Sequence, residues 1–99
     1  MIDIPLVTIT EDKTITGSSP LYIVDAPTSV AISLDEIKKC QGKIVIQNIT
    51  DSANTVRIQS SENLAISGAV SIDIPEGETV TIYKNIDHFI ATGTYTKNF

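Results

Sequence analysis

From Ile44 onward, isoleucines and valines recur two residues apart. The runs are Lys43-Ile44-Val45-Ile46-Gln47, Thr55-Val56-Arg57-Ile58-Gln59, Leu64-Ala65-Ile66, Val70-Ser71-Ile72-Asp73-Ile74 and Thr79-Val80-Thr81-Ile82-Tyr83. A period of two sends alternate side chains to opposite faces of a pleated strand, so each run reads as a strand with one buried and one wet face. The intervening Thr, Ser, Arg, Gln and Asp suit the wet face. The core is then built from Ile, Val and Leu, because the chain has two Phe, three Tyr and no Trp. β-branched side chains are already restricted at χ1 and lose little more in a strand.

Turn-forming residues separate these runs: Asp51-Ser52-Ala53-Asn54, Ser60-Ser61-Glu62-Asn63, Gly68 and Pro75-Glu76-Gly77-Glu78. Upstream, residues 6–10, 13–16, 21–24 and 29–32 read as shorter strands. Apolar pairs every 8–12 residues predict an all-β fold, an antiparallel sandwich or small barrel. A parallel β-helix also has short repeated strands, but a more regular spacing of its coils is expected. One short helix is predicted over residues 33–41. Ser33 and Glu36 form a capping box, Leu34, Ile37 and Cys40 share a side, and Gly42 suits the left-handed C-cap. Residues 1–5 read as an extended arm, 6–94 as a single domain and 95–99 as a tail.

Seven Lys and Arg against twelve Asp and Glu give a formal charge of −5. Nucleic-acid backbones and anionic membranes are bound by clustered cations, so neither is an expected partner. The single cysteine, Cys40, excludes an intrachain disulfide and fits a reducing compartment or a protein assembled there. An acid at Asp3 stands where a signal peptide has a basic region, so secretion by that route is not expected. Asn48-Ile49-Thr50 matches a glycosylation acceptor, and its simpler reading is a strand entering a turn.

Catalytic residues are not evident, and the chain is not expected to be an enzyme. A Cys40–His88 pair would need hydrogen-bond contact and a third orienting group, which nothing in the spacing requires. Asp87 is expected to point away from His88, as strand neighbours do. Asp73, Glu76 and Glu78 lack the ligand spacing of a calcium loop and read as a solvated acidic turn, so neither metal nor cofactor is expected. Tyr22, Tyr83 and Tyr95 read as strand tyrosines rather than a stacking surface for a sugar.

The order of three segments is familiar: residues 43–50, then Thr55-Val56-Arg57-Ile58, then Glu76-Gly77-Glu78-Thr79-Val80-Thr81-Ile82-Tyr83 with a close at His88-Phe89-Ile90-Ala91-Thr92-Gly93. It resembles small all-β modules of tailed-bacteriophage virion proteins, of the head-decoration, head-fibre and tail-fibre-base types. The resemblance covers residues 43–94. It implies a structural role in the virion, a homotrimer, and contact with capsid or fibre proteins. The alternative is a carbohydrate- or receptor-binding module on the same scaffold. Candidate interface residues are Ile2 and Ile4 in the arm, Tyr95 and Phe99 in the tail, and Val45, Ala65 and Ala69. The last three place small or apolar groups on faces that the alternation gives to solvent.

The alternation assigns Ile44, Ile46, Val56, Ile58, Ile72, Ile74, Val80 and Ile82 to a shared core. Ile82→Ala is expected to lower stability by roughly 2–5 kcal/mol, measured by thermal or denaturant unfolding. An unchanged midpoint would mean that the last strands face the other way.

Overall fold

The computed structural model describes residues 6–15, 20–35 and 43–99. All regular structure among them is β, arranged as two sheets around one core. The first six strands alternate between the sheets. β1 (Leu6–Ile9), β3 (Leu21–Val24) and β5 (Lys43–Asn48) lie side by side and parallel in the first sheet. β2 (Lys13–Ile15), β4 (Val30–Leu34) and β6 (Val56–Ser60) do the same in the second. The chain thus winds as a flattened parallel coil before it reverses.

The return is mostly antiparallel. β8 (Ser71–Asp73) closes on β6, and β9 (Thr79–Lys84) closes on β5. β10 (His88–Gly93) forms a hairpin with β9, and the two-residue β7 (Ala65–Ile66) lies parallel to its start. β11 (Thr96–Asn98) pairs antiparallel with β8 at the edge of the second sheet. The final orders are β1-β3-β5-β9-β10-β7 and β11-β8-β6-β4-β2.

Three expectations change here. The antiparallel sandwich holds only for the return, because side-chain alternation is the same in parallel and antiparallel pairs. The coil also escapes detection as a repeat. Leu6 pairs with Leu21 fifteen positions on, whereas Leu21 pairs with Val45 twenty-four positions on. The helix cap at Ser33 is overturned: Ser33 and Leu34 complete β4, the Asp35 N–H donates to the Ile15 carbonyl, and the Ser33 hydroxyl accepts from Gln59. Residues 36–41 of that helix, Cys40 among them, lie outside the described residues, as do Ile2 and Ile4. Finally, Thr96–Asn98 is a strand of the domain and not part of a tail.

The core follows the alternation. Ile32, Ile58 and Ile72 stack across three strands of the second sheet. Tyr22, Ile46 and Val80 do so across the first, beside the Ile44–Ile82–Ala91 row. The eight residues assigned to the core are all buried in one cluster. Gly93 pairs with Val80 at φ 119°, and a Cβ there would press on the Thr79 carbonyl oxygen, so this position requires glycine.

Two buried polar side chains form a staple, Thr50 within the coil and Asn48 from the coil to its return. The Asn48 amide donates to the Ile74 carbonyl at 2.7 Å and accepts the Thr50 N–H at 2.8 Å. The Thr50 hydroxyl donates to the Val24 carbonyl at 3.2 Å and accepts the Ala26 N–H at 3.0 Å. Both side chains are about 1% exposed, so the Asn-Ile-Thr triplet is structural and Asn48 is shielded from modification. Asn48→Ala leaves a buried carbonyl and a buried N–H without partners. The expected loss is about 1–3 kcal/mol for each, read as a lowered melting temperature against the exposed control Thr8→Ala.

Candidate functional site

The sandwich has two outer faces, and they differ in chemistry. On the second sheet, β4 and β6 keep strict alternation, so their outward residues are polar or small. One row runs Thr14, Ser33, Gln59, Ser71 and Asn98. Gln59 donates to the Ser33 hydroxyl at 3.3 Å, and Asn98 donates to the Ser71 hydroxyl at 3.2 Å. A second row runs Ala31, Arg57, Asp73 and Thr96. Arg57 Nε donates to Asp73 Oδ1 at 3.0 Å, and that hydrogen bond, then the carboxylate charge, raises the guanidinium pKa further. Hydrogen bonds between neighbouring side chains suit this face to water.

The first sheet is different. Leu21-Tyr22-Ile23-Val24 is apolar on both sides, as is Ile44-Val45-Ile46. Strands of this kind belong to parallel sheets covered on both faces. Tyr22, Val24, Ile44 and Ile46 point inward and are buried. Their neighbours therefore line the outside. Leu6, Leu21 and Val45 form one row that continues into Thr81 and Thr92. Ile23 stands beside Gln47 in a second row, and Tyr83 lies between Lys43 and Ile90 in a third. Leu6 is 49% exposed, Ile90 40% and Tyr83 39%. The Lys43 ammonium sits 5.7 Å from the Tyr83 ring centroid. An apolar face of this extent, opposite a polar one, is the surface best suited to contact with another protein.

A second apolar feature lies at the β7 edge. The chain between β6 and β8 and the residue after β11 enclose an open cleft of about 490 Å³, lined by Gln59, Asn63, Leu64, Ala65, Val70 and Phe99 among others. Val70 is 72% exposed and Phe99 89%. Asn63 and Ser67 shape this segment with left-handed backbone, φ 59° and 49°. Ser67 also seals the sheet edge: its hydroxyl accepts the Ala91 N–H at 2.8 Å, and its own N–H donates to the Phe89 carbonyl.

The candidate interface residues are dispersed. Val45 is half-buried in the central row of the outer face, whereas Ala65, Ala69 and Phe99 line the cleft. Ala69 is 2% exposed, on the cleft's inner wall. Tyr95 packs against the core and donates its hydroxyl to the Ala91 carbonyl. Leu6, Ile23, Tyr83 and Ile90 join Val45 on the outer face, and of these only Ile23 is signalled in the sequence, by the uninterrupted apolar run 21–24.

The chemical candidates resolve separately. Asp87 sits in the β9–β10 turn and not in a strand, so its carboxylate does reach His88 Nδ1, at 2.8 Å. The other ring nitrogen lies 3.5 Å from the Asn85 amide. Asp73 is engaged by Arg57, and Glu76 accepts the Ser52 N–H. Among the described residues, no three His, Cys, Asp or Glu side chains group as a metal site. Tyr22 is buried, Tyr83 is on the outer face and Tyr95 is near the core, so the tyrosines form no common platform.

Compared with known proteins, the chain matches no family model, no curated protein and no solved structure.

The His88 hydrogen bond, and then the charge of its ring, hold the Asp87 carboxyl below the usual aspartate range. A lowered folded-state value stabilises the turn above the unfolded pKa and is lost as pH falls through the folded one. NMR titration is therefore expected to show Asp87 still ionised where ordinary aspartates are taking up protons. His88→Ala should return it to their range.

Proposed function

We propose that this chain is a structural subunit of a tailed-bacteriophage virion, a head-decoration or fibre-anchoring protein, that assembles through the outer face of its first sheet. The contrast between the two outer faces carries the reading: Leu6, Ile23, Val45, Tyr83 and Ile90 on one side, an Arg57–Asp73 and Gln59–Ser33 polar lattice on the other. Covering that apolar face removes hydrocarbon from water, and a copy of the same chain supplies an equally apolar surface. The resemblance of residues 43–94 to phage virion modules supplies the virion setting, the trimeric state and the capsid or fibre neighbours. A formal charge of −5 fits protein partners rather than nucleic acid or membrane.

A second reading has one observation in its favour. The Gln59 and Asn63 amides beside the exposed Phe99 ring combine polar groups with an aromatic face, which suits a carbohydrate or receptor ligand. Saturable binding on a glycan array, abolished by Phe99→Ala, would favour it.

Native mass measurement tests the leading reading. The 10.7-kDa chain is expected at three times that mass, with Val45→Asp dissociating it while preserving the circular-dichroism spectrum. A parent protein that stays monomeric at high concentration would reject assembly.

A further inference from the structure

Among the described residues the sandwich ends in four sheet edges, and three of them are blunted. In the second sheet, Lys13 of β2 and Lys97 of β11 stand in register with the buried Ile32 and Ile72, yet both lysines are exposed. A charge at an inward position of an edge strand resists pairing, because an added strand would bury it. In the first sheet β7 is only two residues long, and its Ile66 exchanges both backbone hydrogen bonds with Ala69. The fourth edge, β1, has none of these devices. Leu6-Val7-Thr8-Ile9 contains no charge, proline or glycine, and its register with β3 is unbroken.

The backbone of β1 dictates what such an edge takes. The Ile9 carbonyl accepts the Asp25 N–H, so Ile9 and Val7 direct their backbone groups to β3. Successive strand residues point these groups to opposite edges, which turns the N–H and C=O of Leu6 and Thr8 outward. Donors and acceptors spaced two residues apart along one line are the complement of another extended strand. The side chains set its composition. Val7 is half-buried against the core, so the inner-face residue beside it is apolar. Leu6, at 49% exposure, and Thr8 lie on the outer face, where uncharged neighbours suit them. We infer that the outer edge of β1 accepts a strand from a different protein, an extended uncharged segment with an apolar residue facing inward, by addition to the sheet. A second copy is not the source. In the proposed trimer, pairing β1 with β1 would close a two-fold pair instead, and the other edges that a copy presents among its described residues are the blunted ones.

Excluding a second copy rests on the trimeric reading, and the experiment keeps the two apart. The probe is a fluorescently labelled peptide of residues 20–25, Pro-Leu-Tyr-Ile-Val-Asp, the segment that β1 already pairs with on its other side. Fluorescence anisotropy is expected to show saturable binding of one peptide per chain. Two further peptides carry methylated amides, one at Leu21 and Ile23, the other at Tyr22 and Val24. One should lose binding and the other keep it, because alternate amides of an added strand face β1. Thr8→Pro removes the outward N–H, leaves the bonds to β3 and puts proline where an edge strand tolerates it. This variant should lose the peptide while keeping the parent's native mass and circular dichroism; should it fail to fold, the methylated pair decides. A parent that ignores the peptide, equal binding of the two methylated peptides, or a Thr8→Pro variant that binds as the parent does overturns the inference. A folded Thr8→Pro variant that loses the parent's oligomer overturns it too, by placing a second copy at the edge, and leaves self-assembly standing.

Discussion

The buried Asn48–Thr50 staple fixes how the two halves of the chain meet. A parallel coil ends with a row of strand edges, and something must cover them and pin the register of what covers them. Thr50 bonds back to Val24 and Ala26 in the preceding coil, while Asn48 bonds forward to Ile74, and its own backbone carbonyl accepts the Gly77 N–H at 2.7 Å. Four donors and acceptors are thereby satisfied in a site with almost no access to water. The same low-dielectric setting that strengthens each bond makes a missing partner costly, so the network specifies one arrangement. With Ile74 and Gly77 anchored, β9 enters beside β5 in the register that opposes Ile82 to Ile44 and Val80 to Ile46.

That register also decides what is left outside. Once Ile44, Ile46, Val80 and Ile82 are inward, Val45, Thr81 and Tyr83 must point out, and β10 adds Ile90 to them. The coil contributes Leu6, Leu21 and Ile23 to the same surface. A slip of one residue would exchange the two sets. Core and proposed assembly face are therefore two sides of the same pairing, and among the described residues the polar lattice of the second sheet contrasts with the apolar outer face of the first.

Strand content and the shared core were legible in the residues because a period of two survives any pairing scheme. Ile58 and Ile72 can be assigned inward without knowing that one neighbour of β6 is parallel and the other antiparallel. Direction was not legible, since it depends on which distant edges meet, and the uneven coil lengths hid the repeat. The capping-box reading of Ser33 failed for a related reason. A hydroxyl that can cap a helix can equally accept from Gln59 across a sheet, and pairing with β6 on one side and β2 on the other decided between them. Asp87 and His88 show the same limit at short range: a turn in place of a strand brings neighbours into contact. Val45, Ala65, Ala69 and Phe99 could be singled out one by one in the sequence, whereas the cleft that Ala65, Ala69 and Phe99 share could not, because it depends on how the β7 segment meets the residue after β11.

Hydroxyl-radical footprinting across a dilution series tests the proposed assembly face directly. Tyr83, Ile90 and Leu6 should lose reactivity together as concentration rises, in step with the native mass, while Arg57 and Gln59 on the opposite face stay as reactive as at high dilution. Protection of the polar face instead, or uniform reactivity of Tyr83 and Ile90 at every concentration, would contradict assembly through the first sheet.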